Sequence, residues 1–376
     1  MKKKIILLVL ISLLFGTGCS YKEINRLAIV SAIGIDYEDN KYTVSVQVMN
    51  LQKETNDATT ESSILYQGKG ISILDALDNI SLEYPNTLYL GHIELLVIGK
   101  GIILDNNINK VFDFFLREPQ ARTDCLLLVS DSNDAVDIIN PETENKEGTF
   151  PSKDLITTIE NSKQINGYIV KQTLEEFIIN YYEEGIDSVA SNIRLSESDK
   201  EIKTILTGLV SFKENKFIKE LDKDNSFSYN TIKGNYERVG IDIPYNDNLI
   251  GLSIGSKSII KLKIKDNKPY FDINIDIDGS VTELHNNINF NSDDEYKKLE
   301  ELANNYIKDK IDNLIDFCKD NNVDILGLKN YIYKHKYRDY NKYKDSNIYE
   351  ESVINVNVNT DIYRYGNISE VVGGNK

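Results

Sequence analysis

The first part of the chain alternates short apolar runs with helical patterns. Residues 27–35 are mostly apolar, and residues 42–48 alternate, so both predict β-strands joined by a polar turn at 36–41. Further strands are predicted near 64–68, 93–98 and 126–129. Helices are predicted from Ser72, which lies three residues before Asp75, and from about Ile102. The pattern predicts an α+β block.

A polar stretch separates this block from the next. Residues 141–151 are rich in Glu, Asn, Lys and Gly and have almost no apolar side chains, which is typical of an exposed loop or a domain boundary. Beyond it, residues 154–162 and 173–184 have helical patterns. Residues 202–213 and 216–221 predict a hairpin that turns at Glu214 and Asn215. A second α+β unit follows from this arrangement.

The best-defined local prediction is a hairpin that turns through residues 266–269. Placing Lys265 opposite Tyr270 sets the apolar residues of both arms on one face and places Lys263 opposite Asp272 on the other. The predicted apolar pairs are Ile264 with Phe271, Leu262 with Ile273 and Ile260 with Ile275.

Acidic residues in this hairpin raise calcium binding as an alternative. Asp272, Asp276 and Asp278 lie at even intervals along the strand, on the face predicted to oppose lysines. They lack the loop spacing and the terminal glutamate of an EF-hand. We interpret them as the solvated face of the strand and predict no metal site.

A long helix and a closing strand complete the pattern. Ser292 and Glu295 predict a capping box for the helix, and residues 354–359 alternate Ile or Val with Asn as a strand does. We predict an α+β protein of three domains, each a mixed or antiparallel β-sheet flanked by helices. The divisions are residues 1–18 as a lipoprotein signal peptide, then an N-terminal domain at 19–131, a middle domain at 132–247 and a C-terminal domain at 248–376.

The N-terminus has the pattern of a lipoprotein leader. Three lysines precede an apolar run from Ile5 to Phe15, which is shorter than the roughly 18 to 20 residues of a membrane-spanning helix. Gly18 precedes Cys19, where the lipoprotein pathway attaches a diacylglyceryl thioether, although Gly16 stands where such leaders usually carry leucine. We predict lipidation of Cys19, because two acyl chains give stable membrane attachment. Ordinary secretion with a free Cys19 is the alternative.

Composition and charge narrow the range of partners. Removing the leader takes three lysines away, so the formal charge moves from −16 to −19. Such an acidic chain is a poor ligand for nucleic acid and for anionic lipid surfaces. The chain is rich in Ile, Asn, Lys, Asp and Tyr and contains no Trp. This composition is typical of an AT-rich, low-GC Gram-positive source. Cys125 lies in an apolar run and Cys318 ends a helical pattern, which favours two separately buried thiols over a disulfide.

Catalytic motifs find no support in the sequence. His92, His285 and His335 are too far apart for a metal-ligand motif, and His92 fits a structural hydrogen-bonding role better than a catalytic one. The Gly-Lys-Gly sequences at 68–70 and 99–101 lack the rest of a nucleotide fingerprint and are better explained as tight turns. We predict a protein that is not an enzyme and has no cofactor besides the lipid on Cys19.

Short motifs follow one another along nearly the whole mature chain. They lie at residues 23–36, 88–92, 117–119, 208–213 and 324–327. In this order, after a lipidated cysteine, they resemble the Ger(x)C family of spore germination lipoproteins, the C subunits of germinant receptors. Ser20 and Tyr21 depart from the family, which carries tryptophan there, and Lys329 replaces a second glycine. The motif positions singled out are Gly34, Asp36, Gly91, His92, Arg117, Gly208, Asp324 and Gly327.

The resemblance carries expectations about function. It implies three domains, no enzymatic activity and a place on the outer face of the spore inner membrane. It also implies integral membrane A and B subunits as partners in a receptor for nutrient germinants, and it assigns no ligand role to the motif positions. The main alternative is a lipid-anchored solute-binding protein of a transporter. Such proteins build two lobes around parallel sheets, whereas the hairpins predicted here are antiparallel.

Overall fold

The computed structural model describes residues 27–49, 63–105, 107–141, 150–165, 167–198, 201–214, 216–245, 248–284 and 292–363, and their strands form two sheets. The first sheet has the order β3-β2-β1-β5-β6-β7-β8-β9, and β4 also pairs with β1. Its strands are β1 (Leu27–Glu38), β2 (Lys41–Met49), β3 (Ser63–Gly70), β4 (Thr87–Tyr89), β5 (Leu95–Ile98), β6 (Leu126–Val129), β7 (Ser188–Ser198), β8 (Glu201–Lys213) and β9 (Lys216–Leu221).

The centre of the first sheet is parallel and buried. Strands β1, β5, β6 and β7 pair in parallel, and every residue of β5 and β6 is buried. Unbroken apolar runs suit strands that are covered on both faces. Antiparallel strands flank this centre, with β2 and β3 on one side and β8 and β9 on the other.

The strands expected for the middle domain continue the first sheet. Strand β6 pairs with β7 through Leu128 with Ser191 and Val129 with Asn192. The sequence pattern shows which segments are strands but not which of them pair across intervening helices. The α+β class is confirmed, and the strands are distributed over two sheets instead of the predicted three. The residue boundaries of the domains stay a prediction.

The second sheet has the order β10-β11-β12-β13. Its first three strands are antiparallel, and β13 adds in parallel to β12. The closing strand predicted from the Val and Asn alternation is therefore present in this sheet. The strands are β10 (Val239–Tyr245), β11 (Asn248–Lys265), β12 (Lys268–Leu284) and β13 (Val353–Tyr363).

The register predicted for the central hairpin is wrong by two residues. Lys265 pairs with Lys268, and Leu262 pairs with Phe271. The turn contains only Asp266 and Asn267, at φ 49° and 58°. Asp and Asn tolerate this left-handed conformation, and such two-residue turns match the twist of the flanking strands. The prediction counted the first two residues of β12 as part of the turn, and a shift of two preserves which face is apolar.

Two of the three acidic residues on the other face lie opposite lysines, as expected, whereas Asp278 lies opposite Gly255 and pairs with Arg238. Lys261 is opposite Asp272 and Lys257 is opposite Asp276. Lys263, predicted to face Asp272 directly, reaches it diagonally, with 3.6 Å between Nζ and Oδ2. Within the described residues, no group of three or more His, Cys, Asp or Glu side chains is placed to hold a metal ion.

Helices cover both sheets, and the two with predicted caps begin at Ser72 and Ser292. The helix predicted from about Ile102 is divided into Lys100–Leu104 and Ile108–Arg117. The Ser72 side chain accepts a hydrogen bond from the Asp75 N–H at 3.1 Å, and Ser292 and Glu295 form a capping box. A 3-10 turn spans Leu90–His92. The helices are α1 (Ile73–Glu83), α2 (Lys100–Leu104), α3 (Ile108–Arg117), α4 (Ala135–Ile139), α5 (Pro151–Ile165), α6 (Leu174–Tyr182), α7 (Lys223–Lys233), α8 (Asp293–Asp320), α9 (Leu328–His335), α10 (Tyr337–Tyr343) and α11 (Ile348–Glu351).

Neighbouring side chains of β7 pack into the apolar cores of different sheets. Ala190 packs into a core of the first sheet, whereas its neighbour Val189 packs into the core of the second sheet. Successive side chains of a strand point to opposite faces, so the same strand contributes to both halves of the molecule. Cys125 lies in the first of these cores and Cys318 in the second, and both are buried and free, as predicted.

Candidate functional site

Asp36 lies near the end of β1 and holds the start of α4. Its Oδ1 accepts a hydrogen bond from the Ala135 N–H at 2.6 Å, and its Oδ2 accepts one from the Val136 N–H at 3.3 Å. Burial raises the pKa of this carboxyl group to about 7, although the Ala135 N–H opposes the shift. Asp36 therefore joins β1 to α4, a helix that packs against the same sheet.

Two glycines leave space for the contact between Asp36 and the start of α4. A Cβ at Gly99 would lie 1.8 Å from Asp36 Oδ1, and a Cβ at Gly34 would lie 3.0 Å from the Ala135 Cβ. A side chain at position 99 would displace the carboxylate. The motif residues Gly34 and Asp36 thus belong to one packing arrangement, and Gly99, which the sequence indicated only as a turn residue, is part of it.

Asp324 has a similar chemical role in the other half of the molecule. It is 2% exposed, and its two carboxylate oxygens accept hydrogen bonds from the N–H groups of Leu328 at 2.8 Å and Lys329 at 2.7 Å, at the start of α9. The Tyr349 hydroxyl donates a third hydrogen bond at 3.1 Å. Burial raises the pKa of Asp324, and its three donors oppose the shift.

The backbone around Asp324 pairs with the segment that leads into β7. The Asp324 N–H donates to Asp187 Oδ2 at 2.6 Å, and the Asp187 N–H donates to the Asp324 carbonyl at 3.0 Å. Gly327 adopts φ +73°, and a Cβ there would lie 3.1 Å from the Ile186 side chain. We call the contacts between residues 183–187 and 324–340 the inter-sheet junction.

Further hydrogen bonds extend the inter-sheet junction along α9 and α10. Asn330 donates from its N–H to the Gly185 carbonyl and from Nδ2 to the Glu184 carbonyl, each at 2.7 Å. The Tyr340 hydroxyl donates to Glu184 Oε2 at 2.8 Å, and Lys334 Nζ lies 2.6 Å from a Glu183 oxygen. The junction ties the first sheet to the helices of the second.

Gly208 lies at an irregularity in β8. It adopts φ +143°, and a Cβ there would lie 2.8 Å from both the Leu221 carbonyl and Ser226 Oγ. Ser226 Oγ accepts a hydrogen bond from the Leu209 N–H at 3.1 Å. This glycine lets β8 approach the start of α7 closely.

The remaining motif positions lie at the surface with local contacts. His92 Nε2 is 2.9 Å from Glu94 Oε1, and both side chains are about half exposed. A Cβ at Gly91 would lie 2.5 Å from the Tyr89 ring, and Arg117 donates to Asp113 Oδ1 at 2.6 Å on the exposed face of α3. Nothing in these contacts forms a catalytic arrangement.

Sequence reasoning missed two residues that build the inter-sheet junction. Asp187 and Asn330 were not singled out, although Gly185 between a helix and a strand was a turn signal. Gly185 adopts φ +76° and lies against the α9 backbone. The predicted lipidation site Cys19 and His285 lie outside the described residues. In the described part of the chain, no helix is long and apolar enough to cross a membrane.

Comparison with known proteins identifies the family. The family described as "Spore germination protein N-terminal domain" matches residues 20–195, and the one described as "Spore germination B3/GerAC like, C-terminal" matches residues 207–366. The chain belongs to the Ger(x)C family of spore germination proteins. The resemblance stated from the motifs is therefore confirmed.

Relatives of this Ger(x)C protein match over most of their length. Spore germination protein KC of Bacillus subtilis (strain 168) is 23% identical over 353 residues, which cover 87% of this chain and 86% of that protein. Spore germination protein B3 of the same strain is 23% identical over 273 residues, 72% of either chain. The crystal structure of the GerBC protein superposes with a TM-score of 0.55 at 17% identity and covers 88% of this chain and 97% of that one. At this identity the structural match supports the fold.

In this Ger(x)C protein, five of the eight motif positions serve packing or helix capping in the interior. The other three lie at the surface with local contacts. The geometry supports a scaffold with two linked sheets, and the five interior positions are Gly34, Asp36, Gly208, Asp324 and Gly327.

Proposed function

We propose that this protein is a non-enzymatic C subunit of a nutrient germinant receptor. It is anchored by a diacylglyceryl lipid on Cys19 to the outer face of the spore inner membrane, where it assembles with integral A and B subunits. The observation that carries the proposal is the order along the chain: the first Ger(x)C region begins at residue 20, directly after Cys19, and the second begins at residue 207.

The charge of the chain supports a covalent anchor. The formal net charge is −16 for the whole chain, and an acidic surface is repelled by anionic headgroups. Two acyl chains on one cysteine attach a protein stably to a membrane, whereas an acidic surface does not. In this proposal, Cys19 brings the folded body to the membrane, and protein contacts then place it beside the other subunits.

The interior chemistry supports a structural role. The two aspartates among the motif positions, Asp36 and Asp324, are buried, and each accepts hydrogen bonds from backbone N–H groups. Hydrogen bonds from backbone N–H groups at a helix start are the interactions of a capping residue, which supports a structural role for both side chains. Receptor assembly is a function that such a scaffold supports.

Deleting the gene tests this proposal against the transporter alternative. We expect normal vegetative growth and a marked slowing of nutrient-triggered germination, while germination triggered by a non-nutrient route stays normal. The measurements are growth curves, solute uptake and the fall in optical density of germinating spores. Normal nutrient germination together with a defect in solute uptake would overturn the proposal in favour of a solute-binding protein.

A further inference from the structure

A cleft separates α6, which packs on the first sheet, from α7, which packs in the core of the second. Its volume is about 400 Å³, and its walls include Val170, Gln172, Ile179, Ile186, Tyr229 and Lys233. We call it the Lys233 cleft. Clefts between separately packed units are common positions for small-molecule sites.

Lys233 lines this cleft, and its ammonium group has hydrogen-bond donors without an acceptor in the part of the chain that the structure describes. Its Nζ donates to the Leu326 carbonyl at 3.0 Å and lies 5.8 Å from the centre of the Tyr229 ring. Among the described residues it has no carboxylate within ion-pair distance and no further hydrogen-bond acceptor. An ammonium group has three donors, so two of its N–H bonds are available to a ligand.

The acids near Lys233 are engaged elsewhere. Glu183 pairs with Lys334 at 2.6 Å, and Asp324 accepts three hydrogen bonds from other groups. Burial lowers the pKa of Lys233, and the charges of Asp324 and Glu183 oppose that shift. A negative ligand group beside Nζ would therefore stabilise a cation that is poorly solvated.

Other residues of the wall restrict the type of ligand. Gln172 is 7% exposed, and its Oε1 has no hydrogen-bond partner within the described part of the chain. An amide oxygen is an acceptor and so is a carboxylate, so an anionic group is favoured on the Lys233 side of the cleft and not beside Gln172. Ile179 of α6 is apolar and 58% exposed. Lys171, which pairs with Glu160, and the carboxylate of Glu176 also line the cleft. A single negative charge beside Lys233 therefore suits this cleft better than the multiple charges of a phosphate.

We propose that the Lys233 cleft binds a small organic carboxylate. The carboxylate lies against Lys233 Nζ, and the hydrocarbon part packs against Ile179 and the Tyr229 ring. Because residues 183–187 and Leu326 of the inter-sheet junction adjoin Lys233, a bound ligand also contacts both halves of the molecule. This inference is independent of the proposed receptor role, since it concerns the purified chain alone.

Saturation-transfer NMR with sodium butyrate tests the inference on the full-length protein in detergent. We expect a saturable butyrate signal and no saturable signal from n-butylamine, which has a similar length and the opposite charge. Lys233→Gln should reduce the butyrate signal at least fivefold. Lys216→Gln, at an exposed lysine of β9, is the matched control and should leave the signal unchanged.

Two outcomes would overturn the inference. One is the absence of a saturable butyrate signal in the wild-type protein, and the other is an unchanged signal in a folded Lys233→Gln variant. If circular dichroism shows that Lys233→Gln does not fold, Ile179→Asp takes its place, because that side chain is exposed and its loss spares the core. Ile179→Asp should also lower the signal at least fivefold, through repulsion, and a retained signal would contradict the assignment.

Discussion

Asp36 and Asp324 cap helices in the same way but in different surroundings. Each is a buried carboxylate that accepts hydrogen bonds from consecutive N–H groups at the start of a helix. The bonds of Asp36 stay within the first sheet and α4. Asp324 is paired through its backbone with Asp187, which precedes a strand of the other sheet. The same capping interaction thus holds a helix to its own sheet at Asp36 and helps to connect the two sheets at Asp324.

The difference predicts where each aspartate matters. Loss of Asp36 affects the attachment of one short helix, whereas loss of Asp324 frees the start of α9 and weakens the inter-sheet junction. The two sites also differ in donors, since Asp324 has the Tyr349 hydroxyl in addition to two N–H groups.

The largest expected effect is the pH dependence contributed by Asp36. Its folded pKa of about 7 lies above the ordinary value of 3.8, so ionisation is less favourable in the folded state. The contribution of Asp36 to stability is therefore complete below pH 3.8 and is lost as the pH rises towards 7. Asp36→Asn lacks this titration. We expect the stability of the wild type relative to Asp36→Asn to fall by as much as about 4 kcal/mol between pH 4 and 8.

Urea denaturation of both proteins at several pH values measures this difference. Groups other than Asp36, such as Asp187, titrate in both proteins and cancel in the comparison. A constant difference across the range would show that Asp36 is not the titrating group.

Asp324→Ala is expected to lower the free energy of unfolding by about 3 kcal/mol, because three buried donors lose their acceptor. Hydrogen exchange should become faster at residues 183–187 as well as at the start of α9. Asp36→Ala should instead raise exchange in α4 and leave residues 183–187 protected. Asp320→Ala, an exposed residue at the end of α8, is the control. Unchanged protection at 183–187 in Asp324→Ala would remove the distinction between the two sites.

Gly99→Ala is expected to destabilise the protein by about 2 kcal/mol, since the added methyl group overlaps the Asp36 carboxylate. Gly240→Ala is a matched control, because a Cβ at Gly240 meets nothing within 4 Å, and it should change stability by less than about 0.5 kcal/mol. Thermal unfolding of both variants measures the contrast. Equal unfolding temperatures would mean that the joint around Asp36 relaxes to accept a side chain.

Local sequence patterns predicted the elements of this fold well. Ser72 and Ser292 begin helices as their spacing from Asp75 and Glu295 indicated, and the alternation at residues 42–48 is a strand. These features depend on neighbours within one turn or one strand. The hairpin register failed because Pro269 was read as a turn residue, whereas the positive φ angles belong to the two residues before Lys268.

Long-range relations could not be predicted from the same patterns. Between β6 and β7 the chain forms α4, α5 and α6, and periodicity does not specify that the two strands pair after these helices. Asp324 was recognised as a motif position, but its partner Asp187 is distant in the chain and carries no signature of its own. The Lys233 cleft likewise arises only when α6 and α7 meet.

The most direct test of the central claim is nutrient-triggered germination of spores in which Cys19→Ala replaces the wild-type protein. Ser20→Ala, at the neighbouring residue, is the control and should behave as wild type. If lipid anchoring places this subunit at the receptor, Cys19→Ala should leave the membrane fraction, remain folded and slow germination nearly as much as deletion does. Full germination by spores carrying Cys19→Ala would contradict the account and would assign membrane retention to the partner subunits.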